Sequence, residues 1–329
     1  MKNTNIEILR IIMSFFVILL HQAGPFDNYS YNDIWYFKYF CPWVTGAKIF
    51  FILITGYFKV NTKNYNNGVF VINISISWLL NFGFACLVYS FTRDAIPFKS
   101  LLLGGRDWWY IWALLVIQII MPVLNKIINN FNKYYLLLCI VILYLLLEFT
   151  SNYLYGQIFG ITNLFAMILL YCIGGMIRNH VELYFKYQYL IIFLNVILLW
   201  VAIDAINMFT KYDFVYKQLG VPNALFSVEV FIIVTSFRRT KNEFINYLGS
   251  SMLYVYLYHY LIQELNSKYI YSKILDNLNL QLQVNILALI TLFATLVVAL
   301  LITKPIDYLS KFIARKTKID KVTFSIYQK

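Results

Sequence analysis

Charge is what this chain has least of. Only 13% of its 329 residues are charged and three are histidine, while 61% are hydrophobic. Soluble domains carry about 25% charged residues, so a soluble fold of this length is excluded. No internal repeat, low-complexity linker or hydrophilic second domain interrupts the apolar pattern. The first apolar run lacks a small-x-small cleavage site before Gly24-Pro25, so no signal peptide is expected. Cys41, Cys86, Cys139 and Cys172 show neither metal spacing nor a paired framework and read as small apolar filler. The histidines fall on separate segments with no carboxylate at ligand spacing, so no metal site is expected. Gly-rich phosphate loops and a Gly-x-Ser-x-Gly elbow are absent, and no cysteine lies beside a histidine to make a thiol nucleophile.

What the chain does have is apolar stretches. Ten are read as membrane spans, over residues 7–26, 43–59, 69–91, 108–128, 135–149, 158–177, 190–208, 222–237, 247–265 and 284–303. The eighth, of roughly sixteen residues and with Glu229 inside, is the weakest. Asn73, Ser75, Ser77 and Asn81 dot the third span and mark an inward face. With the N-terminus inside, the inner segments hold eighteen basic residues and the outer loops eight. That bias predicts an even number of helices with both termini cytoplasmic. The expected fold is an all-α polytopic integral membrane protein with about ten transmembrane helices, in a single domain over 1–329. A basic cytoplasmic tail begins at about 304. The net charge of +12 is a topology signal and an attraction to anionic lipid, and no folded basic domain supports a nucleic-acid role.

The first span organises the rest. Glu7-Ile-Leu-Arg10 leads through ten uncharged, mostly apolar residues to His21. On a helix, eleven residues bring Arg10 and His21 to within about 20° of each other and about 16 Å apart in height. Glu7, Arg10, Ser14 and His21 then share one stripe. Ionisable residues inside a membrane are costly and mark function by default; a signal anchor with an incidental histidine is the plain alternative. Other polar candidates are Lys48, Glu148, Asp204, Glu229, His259 and Glu264. Glu148 and Glu264 sit near span ends, where solvation explains them. Asp204 and Glu229 are deep enough to pair with Lys48 or each other between helices. His259, in Tyr254-Val-Tyr256-Leu-Tyr258-His259-Tyr260, is as readily a packed core histidine as a functional one. The residue chemistry leaves a histidine able to act as a general base or acyl acceptor, with an arginine lower on its helix.

Four blocks, in order, resemble the membrane acyltransferase 3 family. Ile6-Glu7-Ile-Leu-Arg10 with His21 eleven residues beyond the arginine is similar to its acidic-x-Leu-Arg…His opening. Phe50-Phe51-Ile-Leu-Ile-Thr55-Gly56-Tyr57 resembles its Phe-Phe…Ser-Gly-Tyr/Phe segment. Asp107-Trp-Trp109-Tyr110 through Met121-Pro122 resembles its Trp-Tyr/Phe-Leu…Pro helix, and Leu248-Gly249 through Leu257-Tyr-His259 its Gly…Tyr-Leu-x-His helix. Lys304-Pro305 is a weaker echo. Glu7 stands where Asp is usual, Lys48 where Asp or Pro is common, and Thr55 keeps the hydroxyl of a common Ser. The C-terminal esterase-like domain that some members carry is not expected here.

The resemblance implies transfer of an acyl group, acetyl first among them and not amino-acyl, from acyl-coenzyme A to a cell-surface or capsular glycan hydroxyl. It implies a multi-pass bacterial plasma-membrane enzyme with no permanently bound cofactor, whose partners are acyl-coenzyme A, a glycan or lipid-linked glycan, and lipid. On that reading Arg10 meets donor phosphates through its guanidinium fork and Glu7 orients it. His21 meets the thioester as general base or covalent carrier, and burial favours the neutral imidazole a base requires. Ser14, Lys48, Trp109, Tyr110 and His259 complete the substrate-binding set, with Trp108, Trp109 and Tyr110 offering sugar-stacking faces or an interfacial aromatic belt. The rival readings are a glycolipid or small-solute transporter, against which stands the lack of clear inverted repeats and broken helices, and a polysaccharide polymerase. The glycan, the acyl chain length and the oligomeric state stay open at the level of sequence.

Overall fold

The computed structural model describes residues 3–22, 39–62, 67–93, 96, 108–153, 159–180, 186–209, 219–270 and 279–317. Among them the regular structure is helical, with no strand. The loops expected between Asp27 and Tyr39 and between Thr92 and Asp107 lie largely outside the described residues, as does the end of the basic tail.

In chain order the helices are α1 (Thr4–Gln22), α2 (Cys41–Thr45), α3 (Ala47–Lys59), α4 (Asn67–Thr92), α5 (Trp109–Asn130) and α6 (Lys133–Tyr153). Then come α7 (Phe159–His180), α8 (Lys186–Phe209), α9 (Val221–Ser236), α10 (Glu243–Asn266) and α11 (Leu280–Lys316). Each of the ten apolar stretches carries a helix. Five helices among the described residues, α1, α4, α5, α6 and α11, are long and apolar enough to cross a membrane. Three of the others fall short for visible reasons. At 1.5 Å per residue, α3 and α9 reach about 20 and 24 Å against a hydrocarbon core of about 30 Å. α10 is long but carries buried Asn246, Ser251, His259, Gln263 and Asn266.

α11 also departs from expectation. Its span was to end at 303, before Lys304-Pro305, yet the helix runs through Pro305 to Lys316. Pro305 removes one backbone donor within the helix and the helix absorbs the loss. The first part of the basic tail is thus helical.

The chain clusters into two compact units. The first comprises Met1–Val17, Asp27–Thr62 and Val123–Asn246. Its centre is the crossing of α3 and α7. A Cβ on Gly56 would lie 2.1 Å from the Tyr171 carbonyl oxygen, and one on Gly174 would lie 2.2 Å from that of Leu53. The two backbones therefore touch, as small residues allow between membrane helices. Tyr171 donates to Asn125 Oδ1 (2.8 Å), and Asn125 Nδ2 donates to the Lys59 carbonyl (2.8 Å), tying α5 to the same crossing. The start of α1 is fixed to the 238–246 segment. Thr4 N donates to Thr240 O, Asn242 N to Thr4 Oγ1, and Thr4 Oγ1 to Asn246 Oδ1.

The second unit comprises Ile18–Phe26, Lys63–Pro122 and Tyr247–Lys329. Here the polar stripe of α4 meets α10 and α11. Asn73 donates to Asp307 and accepts from Tyr254 Oη, Tyr258 Oη donates to the Ser77 carbonyl, and Asn81 Nδ2 donates to the Leu257 carbonyl. Positions 73, 77 and 81 are four residues apart and share one face. Ser75, expected on that face, is exposed and donates to its own helix at Val71 O.

Candidate active site

α1 holds four of the sequence candidates. In the first unit, Glu7 is 2% exposed and accepts from Arg10 Nη1 at 2.7 Å, an i,i+3 ion pair. Its burial follows from the apolar flank of Ile6, Leu9 and Met13. Ser14 is buried and its hydroxyl donates to the Arg10 carbonyl at 2.9 Å, a bond within the helix. Lys48 is buried on α3.

In the second unit, His21, in the last turn of α1, meets α10. Tyr260 Oη lies 2.5 Å from His21 Nδ1 and 3.1 Å from Nε2. Gln263 Nε2 donates to the His21 carbonyl at 2.7 Å, so side chain and main chain of His21 are both held by one helix. The His259 ring is 5.2 Å from that of His21 and 4.4 Å from that of Tyr260. His259 is fully buried, and its Nδ1–H donates to the Tyr256 carbonyl at 2.6 Å, which places a proton on that nitrogen. The line of rings continues beyond His259. Tyr256 lies 5.7 Å from His259, Tyr110 5.3 Å from Tyr256, and Trp109 5.9 Å from Tyr110. Four sequence candidates, His21, His259, Tyr110 and Trp109, thus belong to one aromatic chain, while Glu7, Arg10, Ser14 and Lys48 belong to the first unit.

A histidine oriented by a hydroxyl is the arrangement a general base requires. Three of the remaining polar candidates, Glu148, Asp204 and Glu264, have structural partners, whereas Glu229 Oε2 is buried with no hydrogen-bond partner among the described residues. Glu148 accepts from Val221 N at the start of α9 (3.3 Å), and Asp204 accepts from Cys41 N (3.3 Å). Glu264 forms a two-point ion pair with Arg93 (2.9 and 3.0 Å) rather than facing solvent alone. His180 ends α7, half-buried.

Sequence reasoning assigned no role to Gln22, Tyr256, Tyr260, Gln263, Asn266 or Thr291. Asn266 Nδ2 donates to Thr291 Oγ1 (2.8 Å), and Thr291 Oγ1 stands 3.5 Å from Gln22 Oε1. The readable signal was the spacing on α10. Positions 256, 259, 260, 263 and 266 recur at three and four residues and make one helical face.

Membrane-length apolar helices and a hydrogen-bonded histidine beside a second one mark a membrane-embedded protein with a polar aromatic cluster among its helices. A family model described as an acyltransferase domain, of the acyltransferase 3 type, matches residues 3–304. The chain belongs to this family and is a multi-pass membrane acyltransferase. No curated protein and no solved structure matches it significantly.

Proposed function

We propose that the protein transfers an acyl group, acetyl in the first instance, from acyl-coenzyme A to a hydroxyl of a cell-surface glycan. The observation that carries this reading is the His21–Tyr260 contact in a member of an acyltransferase family. In the proposed step the acceptor oxygen attacks the thioester carbonyl carbon while His21 takes the hydroxyl proton. The C–O bond forms, the C–S bond breaks, and the leaving thiolate recovers the proton from the imidazolium. The products are an ester and free coenzyme A, and His21 ends neutral. Tyr260 orients the ring, and Trp109, the half-buried end of the aromatic chain, offers a flat face for the sugar with Tyr110 packed beside it.

Arg10 lies on the same helix as His21, eleven residues earlier, a rise of about 16 Å. That suits an extended donor whose phosphates meet the guanidinium and whose thioester meets the imidazole. Glu7 holds the guanidinium in place. The test is incubation of membranes with labelled acetyl-coenzyme A, following label into glycan. Removal of a general base costs about 10²–10⁴-fold in rate. His21→Ala should therefore transfer no measurable label at normal abundance, and transfer at the wild-type rate would overturn the reading.

A further inference from the structure

The most unusual feature beside His21 is a pair of buried amides that are only half used. Gln22 is fully buried and Gln263 is 6% exposed. Gln263 Nε2 donates to the His21 carbonyl, which settles which atom of that amide is nitrogen, and its Oε1 has no hydrogen-bond partner among the described residues. Thr291 Oγ1 accepts from Asn266 and donates towards Gln22 Oε1, 3.5 Å away. Gln22 Nε2 is then left with no partner among the described residues. One donor and one acceptor, both desolvated, flank the histidine through its neighbouring residue and its carbonyl.

Leaving buried amide atoms unpaired is unfavourable, whereas an apolar side chain of the same shape is nearly neutral. A site that keeps both atoms gains something when substrate arrives. Acyl transfer brings together a thioester carbonyl, which only accepts and gains negative charge in the transition state, and a hydroxyl, which donates until its proton leaves. We infer that Gln22 Nε2 donates to the acyl carbonyl oxygen and that Gln263 Oε1 accepts from the acceptor hydroxyl. In the step described above Gln22 stabilises the oxyanion that forms as the C–O bond is made. Gln263 holds the hydroxyl until His21 takes the proton. The inference rests on the acyl-transfer reading.

The experiment uses membranes carrying the full chain, labelled acetyl-coenzyme A varied in concentration, label followed into glycan and free coenzyme A measured in parallel. Gln22→Met should lower the limiting rate by about 10²–10³-fold. The apparent donor constant should stay within about twofold of wild type, because the lost bond is made chiefly in the transition state. Its thermal midpoint in detergent should be no lower than wild type. Gln22→Glu keeps the oxygen facing Thr291 and removes the donor, so it should show the same rate loss and covers the case in which methionine packs badly. Gln263→Met should release more coenzyme A than label appears in glycan, because water replaces an acceptor no longer held. A wild-type limiting rate in both Gln22 variants, a rate loss matched by a lowered midpoint in both, or wild-type coupling in Gln263→Met overturns the assignment. His21→Ala in the same assay separates the two levels. Its activity tests the acyl-transfer reading, whereas loss in His21→Ala with wild-type Gln22 and Gln263 variants sinks the amide subsite alone.

Discussion

A histidine in a membrane helix matters chemically through what touches it, and the three in this chain differ in that respect. His21 is bonded to Tyr260 through its ring and to Gln263 through its carbonyl. His259 spends Nδ1 on the Tyr256 carbonyl, a local bond within its own helix. His180 sits at the end of α7, where burial and then the charge of Lys133 lower its pKa. His259→Ala should accordingly leave partial transfer and His180→Ala near-wild-type transfer, in contrast to His21→Ala. Arg10 needs a gentler substitution. Its partner Glu7 is 2% exposed, and removing the cation strands a buried carboxylate, which is strongly destabilising in itself. Arg10→Lys keeps a cation beside Glu7 and loses only the planar fork. Losing a charge-assisted contact to donor phosphate, worth about 1.5–3 kcal/mol, should raise the apparent donor constant about tenfold or more. Membrane abundance should stay unchanged. A wild-type donor constant in Arg10→Lys and in Arg10→Ala removes the phosphate role.

At the scale of elements, glycine divides into two kinds. Gly174 and Gly56 let α3 and α7 approach until backbone meets backbone, and a methyl at Gly174 would sit 2.2 Å from the Leu53 carbonyl oxygen. That obstacle is main chain and does not move aside as a flexible side chain would. Gly83, in α4, has nothing within 4 Å of its would-be Cβ. Gly174→Ala should therefore destabilise by about 1–3 kcal/mol through overpacking. Gly83→Ala should be neutral or stabilising by up to about 1 kcal/mol, since alanine is the better helix former. Thermal unfolding in detergent checks both, and equal midpoints would contradict the close crossing. The contrast also marks what was legible in the sequence. Gly56 could be picked out within its Phe-Phe…Gly-Tyr block, but that it presses on Tyr171 could not, because no local pattern reports which helix lies opposite. Likewise the eleven-residue spacing put Arg10 and His21 on one helix, and the α4 polar stripe was readable at 73, 77 and 81. Tyr260, Gln263, Gln22 and Thr291 gave no sign of their roles. Their meaning depends on the packing of α1, α10 and α11, and each alone is an ordinary membrane-helix residue. The run of α11 past Pro305 was not legible for a different reason. Proline usually ends a helix, and here the helix runs on for eleven residues beyond it.

For the whole molecule, the open question is how many of the helices cross the bilayer, and the two counts give opposite topologies. If all ten apolar stretches cross, an inside N-terminus places Ser100 outside after three crossings and Ser325 inside after ten. If only α1, α4, α5, α6 and α11 cross, Ser100 follows two crossings and lies inside, while Ser325 follows five and lies outside. Length alone counts against only two of the ten, because α3 and α9 are shorter than the hydrocarbon core whereas α7, α8 and α10 have 22, 24 and 24 residues. Charge favours the larger count, because eighteen basic residues against eight fall on one side only under ten crossings with both ends cytoplasmic. Packing sides with charge. A helix that does not reach both interfaces can still sit within the bilayer when its polar backbone ends are covered by protein. The start of α9 is covered in this way, with Val221 N on the Glu148 carboxylate. Single cysteines at Ser100 and Ser325, both outside the described residues, then decide the matter, provided Cys41, Cys86, Cys139 and Cys172 are first replaced. An impermeant thiol reagent on intact cells should label the Ser100 position and spare the Ser325 position until the membrane is opened. The reverse pattern would overturn the ten-crossing arrangement with an inside N-terminus and move the basic tail to the outer face.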